Sequence, residues 1–406
     1  MIAFVAAAVL AGPQLSRLGN GIPIFIHPAP GEDRITLQAL IRLDDATPAE
    51  LGEANYIAGA LFGETDNFSL RRFRELAWSI GGNVDSEMAG DCLRVEVATA
   101  KSHLLPAVDF LTDALKRPLF TEQALADGKT QVELLQKRMD ENPQLQAVRN
   151  ALAAVDAAAI SVNAPTQRQA VAFHTRFFRP ERVAISAVGD ISAEEVAGAF
   201  SSLGGWSPSA AGSGEIASAS QKHEPSLPVL VVCAPGPEPR HADFAAWLTA
   251  CAALGCGKGS LLNREFRERR GITYSVGVDF AFRKGNSWAA FYVVLSKASD
   301  LDLSSLQNFI KSATLTESDL TRAKAFAAGE YEVGQPVDAG PMRAFAQGHA
   351  EPSEQAFWSS WWSLKGAPLS RDVDFAKLIG DVTLATANAQ LRKMSQSLVT
   401  LYDYFL

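Results

Sequence analysis

The sequence is short of the residues that bind metals or cross-link chains. Its 406 residues include four cysteines and six histidines. The cysteines, Cys92, Cys233, Cys251 and Cys256, form no Cys-x-x-Cys pair. A zinc knuckle is therefore disfavoured, and four buried free thiols are predicted. No two histidines fall within one helical turn of each other, so the sequence contains no local pair of imidazole ligands.

Blocks of positive charge and long apolar runs are also absent. The net charge is -8 and no block of Lys or Arg occurs, which disfavours binding to a phosphate backbone. No apolar run reaches the roughly 18 residues that a membrane-spanning helix needs. The apolar fraction of 47% is ordinary for a soluble globular protein.

The stretch 1–11, MIAFVAAAVLA, is apolar but short, and no basic region precedes it. It ends in Val9-x-Ala11, which suits signal peptidase, and Gly12-Pro13 follow. We therefore expect a truncated signal peptide and a periplasmic location. A first buried strand of a cytoplasmic protein is the alternative interpretation.

The length predicts two domains, since a chain of 406 residues exceeds one ordinary core. The stretch 207–226, SPSAAGSGEIASASQKHEPS, is rich in Ser, Ala and Gly and is predicted to be a linker. It separates an N-terminal domain at 12–206 from a C-terminal domain at 227–406. Both halves show strands and helices in a similar order, which indicates a duplicated α+β domain.

Local signals place the main elements. Thr47-Pro48-Ala49-Glu50 predicts a helix start with a capping box, and Gly81-Gly82 ends a second helix. Further helices are expected at 121–140, 260–269 and 341–349. The tryptophan-rich run 357–362, FWSSWW, has a spacing typical of a helix packed against a sheet, although a binding patch is the alternative.

Eight segments, in this order along the chain, resemble the inverzincin zinc peptidases of the pitrilysin, insulinase and processing-peptidase kind. They are 20–22 (NGI), 52–65 (GEANYIAGALFGET), 81–84 (GGNV), 113–120 (DALKRPLF), 188–190 (VGD), 204–206 (GGW), 254–262 (LGCGKGSLL) and 264–274 (REFRERRGITY). The resemblance rests on their order and spacing and spans nearly the whole chain. It implies an α+β fold of two homologous domains, each a mixed or antiparallel sheet packed with helices. Together the domains form half of a clam-shell chamber.

Active members of that family carry His-x-x-Glu-His in the first of these segments, where the two histidines bind zinc and the glutamate is the base. The matching positions here are Asn55, Ala58 and Gly59. The third ligand of the family matches Gln136, and Lys129 matches a second glutamate. Because an amide is a poor zinc ligand, the resemblance implies that this chain binds no metal. Zinc is then expected in a catalytic partner.

The resemblance also implies residues that act on substrate. Active members place an Arg and, seven residues later, a Tyr on the second domain, and these are similar to Arg267 and Tyr274. The Arg could hold a substrate carbonyl, and the Tyr could stabilise the oxyanion. The loop with Gly255, Gly257 and Gly259 resembles a substrate-contacting loop, with tight backbone packing as the alternative. A solvated Arg and an ordinary strand Tyr are the alternative for the pair.

Three functions follow from these features. The first is a non-catalytic subunit of a heterodimeric zinc peptidase that binds peptides or unfolded polypeptides, because the zinc set is missing while the Arg-Tyr pair is present. The second is a structural scaffold, similar to the core proteins of respiratory complexes. The third is a homodimeric module that binds peptides. None of the three implies nucleic acid as a partner.

Overall fold

The structure is a computed structural model that describes residues 13–207, 216–220, 224–283, 286–297, 300, 302–332, 352–368 and 370–403. The predicted signal peptide at 1–11, much of the predicted linker at 207–226 and the expected helix at 341–349 lie outside these residues. The placement of the domain boundaries therefore stays a prediction. Within the described residues, no helix is long and apolar enough to cross a membrane.

The first half of the described chain builds a six-stranded mixed sheet. Its strands are β1 (Gln14–Arg17), β2 (Pro23–Pro28), β3 (Arg34–Arg42), β4 (Asn83–Ala89), β5 (Cys92–Ala100) and β6 (Val183–Gly189). They lie in the order β1-β2-β6-β3-β5-β4, with β2 parallel to β6 and the other neighbours antiparallel. All of β6 and most of β3 are buried, because both faces of the sheet centre are covered.

Helices cover this sheet, and the first of them begins as the sequence predicts. The helices of the first half are α1 (Pro48–Ala60), α2 (Leu70–Ser79), α3 (Leu104–Lys116), α4 (Glu122–Asp140), α5 (Pro143–Ala154), α6 (Gln167–Phe177), α7 (Ala193–Ala199) and α8 (Ser201–Gly204). Thr47 and Glu50 form a reciprocal capping box at the start of α1. Leu51 and Ile57 of α1 are buried in the core that the sheet shares with α3.

The second half repeats the design with a smaller sheet. Its strands are β7 (Val229–Gly236), β8 (Thr273–Arg283), β9 (Asn286–Leu295) and β10 (Val399–Asp403). They are antiparallel in the order β10-β7-β9-β8, which leaves β8 at an edge of the described sheet. The helices are α9 (Phe244–Gly255), a π-helix (Asn263–Arg269), α10 (Leu303–Ser312), α11 (Glu317–Glu332), α12 (Pro352–Leu364), α13 (Ser370–Gly380) and α14 (Leu384–Ser395).

Each half contributes one helix that packs on the sheet of the other half. Helix α5 of the first half packs on β7 and β9 of the second sheet, and α12 of the second half packs on β3 and β6 of the first. Trp358, Trp361 and Trp362 of α12 are buried, so the prediction that the tryptophan-rich run packs in the core is confirmed. Each sheet is thus covered on one face by a helix from the other half, which joins the halves through apolar contacts.

Buried polar contacts add to this junction. Lys365, just after α12, forms an ion pair with Asp91 between β4 and β5, and both side chains are almost fully buried. Near the start of α12, Glu354 accepts a hydrogen bond of 3.0 Å from Arg94 of β5. An ion pair at this depth is costly to break because the remaining charge stays away from water. The halves are therefore held at both ends of α12.

Some elements differ from the expectations. β1, α5 and α13 are strands and helices that the sequence patterns did not indicate. The segment at 260–269, expected as an α-helix, contains the π-helix Asn263–Arg269, and Gly271 follows it with a φ of 66°. The four cysteines are free and buried, as predicted.

Candidate functional site

Helices α1 and α4 cross with almost no space between their backbones. A Cβ atom built on Gly59 of α1 would lie 2.7 Å from the Cα of Gly128 on α4. A Cβ built on Gly63, in the turn that follows α1, would lie 2.5 Å from the Cβ of Ala124. Distances below about 3 Å are not tolerated without a backbone shift, so this seam needs glycine at both positions.

The other two positions that match the zinc motif are used for local structure. The Asn55 amide donates to the Leu51 carbonyl at 3.0 Å, which is one turn back in the same helix. The carbonyl of Ala58 accepts a hydrogen bond from the Ser86 hydroxyl of β4 at 2.5 Å. Ala58 itself is 1% exposed. The bond to Ser86 attaches α1 to the edge strand β4 of the first sheet.

Gln131, not Gln136, is the α4 side chain that lies against Gly59. A Cβ on Gly59 would meet the side chain of Gln131, whose amide donates to the Ser86 carbonyl at 3.1 Å. Gln136 lies five residues further along α4, about 7.5 Å by helical rise. Its amide donates to Asp140 at 2.7 Å and to Gln146 at 3.3 Å. The structure thus places Gln131 against Gly59, and the match of Gln136 to the third-ligand position stays a prediction.

Lys129 does not point charge into this seam. Its ammonium group lies 3.7 Å from the carboxylate of Glu133, and both side chains are more than half exposed. The pair is a surface i,i+4 ion pair, which contributes little to stability.

The groups around α1 and α4 do not fit a hydrolytic zinc ion. Such an ion needs three His, Asp, Glu or Cys ligands and an open position for water. Here Gly59 has no side chain, Ala58 offers a methyl group, and Asn55 and Gln131 offer amides whose N–H groups are already hydrogen-bonded. No group of three His, Cys, Asp or Glu side chains suited to a metal occurs among the residues that the structure describes.

Arg267 and Tyr274 lie together, as the resemblance predicts. The guanidinium of Arg267 donates to the carbonyl of Tyr274 at 3.3 Å. Arg267 stands on the π-helix, and Tyr274 is at the start of the edge strand β8, with Gly271 between them. The Tyr274 side chain is 83% exposed, which is unusual for so large a ring. Both side chains can therefore reach a molecule outside the chain.

The π-helix is fixed from its buried side. Glu265 accepts hydrogen bonds from Arg269 and Arg270, and these interactions lower the pKa of its carboxyl below the ordinary value. Phe266 is fully buried and lies under the guanidinium of Arg270. Arg267 is thus presented on a rigid turn, and π-helical turns are frequent at functional sites.

The glycine loop at 255–259 has a packing reason at each glycine. A Cβ on Gly255 would lie 2.8 Å from the Cβ of Val278 on β8. Gly257 has a φ of 72°, and a Cβ there would lie 3.3 Å from Phe326 of α11. A Cβ on Gly259 would lie 3.1 Å from the Arg322 side chain. The loop packs tightly against β8 and α11, and a contact with substrate stays a prediction.

The signal for the α1–α4 seam is present in the sequence but easy to miss. Small residues recur four apart in both segments, as Gly59 in α1 with Gly63 in the turn after it, and as Ala124 and Gly128 on α4. Positions four apart lie on one face of a helix, so Ala124 and Gly128 form a groove for α1 and the turn after it. The match to the zinc motif concerns single positions of α1 and does not indicate this repeat of small residues.

Comparison with protein families agrees with the geometry. The sequence profile described as "Insulinase (Peptidase family M16)" matches residues 45–178, and that described as "Peptidase M16 inactive domain" matches residues 166–326. Together the two profiles of this family cover more than half of the chain. The chain belongs to the M16 peptidase family. The family prediction is confirmed, and the M16 chain has Asn55, Ala58 and Gly59 in place of the catalytic motif.

Solved M16 structures share the fold across nearly the whole chain. The crystal structure of a peptidase M16 inactive domain from Pseudomonas fluorescens is similar with a TM-score of 0.73, 19% identity and coverage of 96% of both chains. A crystal structure of a protease from Helicobacter pylori is similar with a TM-score of 0.73, 15% identity and coverage of 97% of this chain and 100% of that chain. A search of curated proteins found no significant match.

The comparisons confirm the predicted α+β fold of two halves. They also support a non-catalytic, peptidase-like role, since α1 and α4 lie in the insulinase match without the catalytic motif. Arg267 and Tyr274 lie in the part that matches the inactive domain.

Proposed function

We propose that this M16 chain is the non-catalytic subunit of a heterodimeric zinc peptidase. The supporting observation is the contrast between two regions. The α1–α4 seam has no room for ligands at Gly59, whereas Arg267 and Tyr274 are joined by a hydrogen bond and face solvent. A partner chain with His-x-x-Glu-His supplies the zinc, and this chain supplies part of the wall opposite the metal.

The two exposed side chains suit a role at a scissile peptide bond. A guanidinium presents several N–H donors in a planar fork, which can hold a substrate carbonyl or carboxylate. A phenol hydroxyl can donate to the oxygen on which negative charge develops as the carbonyl becomes tetrahedral. Arg267 is therefore assigned to substrate positioning and Tyr274 to the oxyanion.

The edge strand β8 gives a peptide a place to bind next to Tyr274. In the described sheet β8 pairs only with β9, so its outer edge carries backbone donors and acceptors that an extended peptide can use. Tyr274 is the second residue of this strand. A peptide added along β8 passes the phenol without requiring a particular side chain, which suits unfolded polypeptide substrates.

The experiment is co-expression of the chain with a neighbouring gene whose product carries His-x-x-Glu-His, followed by native mass spectrometry and metal analysis. We expect a one-to-one complex with zinc in the partner and none in this chain when each is isolated. The proposal is contradicted if this chain alone binds zinc stoichiometrically, or if no catalytic M16 partner associates with it.

The complex also separates the proposed role from that of a scaffold. A scaffold subunit would assemble with its partner but leave peptide turnover independent of Arg267 and Tyr274. A peptide-binding homodimer would retain peptides without any partner, which a pull-down of the isolated chain measures.

A further inference from the structure

Residues 216–220 form a short strap that lies beside α1 and residues 161–163. The strap runs antiparallel to residues 161–163, with a bridge between Val162 and Ala219. The Asn163 N–H donates to the Ser218 carbonyl at 3.0 Å, and the Ser220 N–H donates to the Ser161 carbonyl at 3.0 Å. The strap is thus docked by backbone hydrogen bonds rather than running freely through solvent.

One small side chain anchors the strap in an apolar slot. Ala217 is 5% exposed and packs against Tyr56 of α1 and Val162. The Tyr56 hydroxyl donates to the Val162 carbonyl at 3.1 Å, which fixes the wall of the slot. A slot that fits a single methyl group admits no larger side chain at this position without displacement.

Glu53 of α1 lies beneath the strap with an incomplete set of partners. It is 2% exposed, and its Oε2 accepts the N–H of Ala217 at 3.5 Å. Its Oε1 is buried without a hydrogen-bond partner among the described residues. A buried carboxylate with one long hydrogen bond is costly when it is ionised, whereas a buried carboxylic acid is tolerated.

The charges around Glu53 do not compensate for this burial. The strap residues 216–220 carry no charge. Glu50, one turn earlier on α1, is already paired with Arg176 of α6, and its charge disfavours ionisation of Glu53. The other ionisable groups on elements packed nearby include Tyr56 of α1, Arg149 of α5, Glu133 of α4 and Arg168 of α6. Arg149 donates to Gln146 and Ser161, and Glu133 pairs with Lys129.

We propose that residues 216–220 are a detachable strap, which stays docked on α1 while Glu53 is protonated. Loss of the Glu53 proton leaves a buried anion beneath Ala217, and release of the strap lets water reach that anion. Release also empties the slot beside Tyr56 and Val162. This switch is independent of the role proposed for Arg267 and Tyr274.

The direction of the pH dependence follows from the burial of Glu53. Burial is the main cause that raises the pKa of Glu53 from its ordinary value of 4.5 to about 7 while the strap is docked. A raised acid pKa means that docking is strongest at low pH and weakens as the pH rises from 4.5 through about 7. With these values, the docking equilibrium weakens by at most about 30-fold between about pH 5.5 and about pH 8.5.

Hydrogen–deuterium exchange of the full chain measures docking directly. The readout is the protection factor of the peptide that contains residues 216–220, because this factor removes the intrinsic effect of pH on exchange. We expect protection to fall by roughly 10- to 30-fold between about pH 5.5 and about pH 8.5 in the wild type. Glu53→Gln, which is isosteric and neutral, should keep the protection at both pH values.

Two further variants make the result decisive. Ala217→Asp is too large for the slot and adds charge beside Glu53, so it should remove the protection at both pH values. Glu133→Gln changes an exposed carboxylate on α4 and should keep the wild-type pH dependence. The proposal is overturned if wild-type protection does not change with pH, or if Glu53→Gln retains the same change.

Discussion

Two regions of this M16 fold are built in opposite ways. One is the α1–α4 seam, and the other is the Arg267–Tyr274 wall, which consists of the π-helical turn and the start of β8. At the seam, glycines bring two helices into contact where ligand side chains would have to stand. At the wall, a π-helical turn and an edge strand hold an Arg and a Tyr in solvent. The first region is closely packed, while the second presents two large polar side chains to solvent.

This difference shows that the loss of zinc ligands involves more than exchanged side chains. Asn55 bonds within α1, the Ala58 carbonyl bonds α1 to β4, and Gln131 bonds α4 to the same residue of β4. The seam is therefore a packed structure of its own, and restoring ligands would require the helices to separate. The wall carries no such cost, because Tyr274 packs little against the rest of the chain.

The largest expected effect concerns the junction that holds both regions in one unit. Lys365→Ala leaves Asp91 as a buried charge without its ion-pair partner, which should lower the free energy of unfolding by about 3–5 kcal/mol. Urea denaturation measures this loss. Lys365→Met combined with Asp91→Leu removes both charges and should recover most of the stability. Equal losses in the single and double variants would show that the charges are not what matters there.

The next effect tests whether the seam is closed. Gly59→His places a ring where Gly128 and Gln131 already lie, so we expect a loss of about 3 kcal/mol in the free energy of unfolding. Asn55→His, on the same helix at a half-buried position, is the control and should cost less than about 1 kcal/mol.

The seam can also be challenged with the complete motif. Asn55→His, Ala58→Glu and Gly59→His together should not yield a chain that binds zinc stoichiometrically, because α4 presents only the amide of Gln131 against position 59. A stable variant with one tightly bound zinc would contradict the account of the seam.

Much of the fold could be predicted because it depends on local signals. The capping box at Thr47 and Glu50, the stop at Gly81 and the alternating strands are set by neighbouring residues. The family resemblance then supplied the order of the two halves. The packing of α5 and α12 on the sheet of the opposite half could not be predicted. An apolar helix face indicates that the helix is buried, but not which sheet it covers.

The candidate site was predicted unevenly for the same reason. Arg267 and Tyr274 are seven residues apart, so one turn brings them together. Gln131 and Gly59 are distant in sequence, and their contact depends on how α4 crosses α1. The family motif points to Gln136 on the same helix, and its spacing carries no information about which α4 side chain touches Gly59. Helix crossings are set by both surfaces together, which one segment cannot reveal.

A smaller effect tests the wall by comparing two arginines of one turn. In the reconstituted heterodimer, Arg267→Ala should lower kcat/KM by roughly 10- to 100-fold, because the substrate loses a charged hydrogen-bond donor. Arg269→Ala is the matched control. Its guanidinium bonds to Glu265, which Arg270 continues to hold in the variant, so kcat/KM should change much less than with Arg267→Ala. Equal effects of both substitutions would show that Arg267 has no specific role in the site.

The smallest effect distinguishes the two glutamines of α4. Gln131→Ala should lower the free energy of unfolding by about 1 kcal/mol, because the Ser86 carbonyl loses a hydrogen bond in the seam. Gln136→Ala removes hydrogen bonds to the exposed Asp140 and to Gln146, whose Oε1 keeps a bond from Arg149, so stability should change by less than about 0.5 kcal/mol. The reverse order in urea denaturation would show that Gln131 does not support the seam.

The measurement that tests the central claim most directly is the kcat of the reconstituted heterodimer with Tyr274→Phe. The substitution removes one hydroxyl from an exposed ring, so assembly and stability should stay as in the wild type. If this chain completes the partner's active site, kcat should fall by about 100-fold or more, as expected for the loss of an oxyanion donor. An unchanged kcat in a fully assembled complex would contradict the divided site.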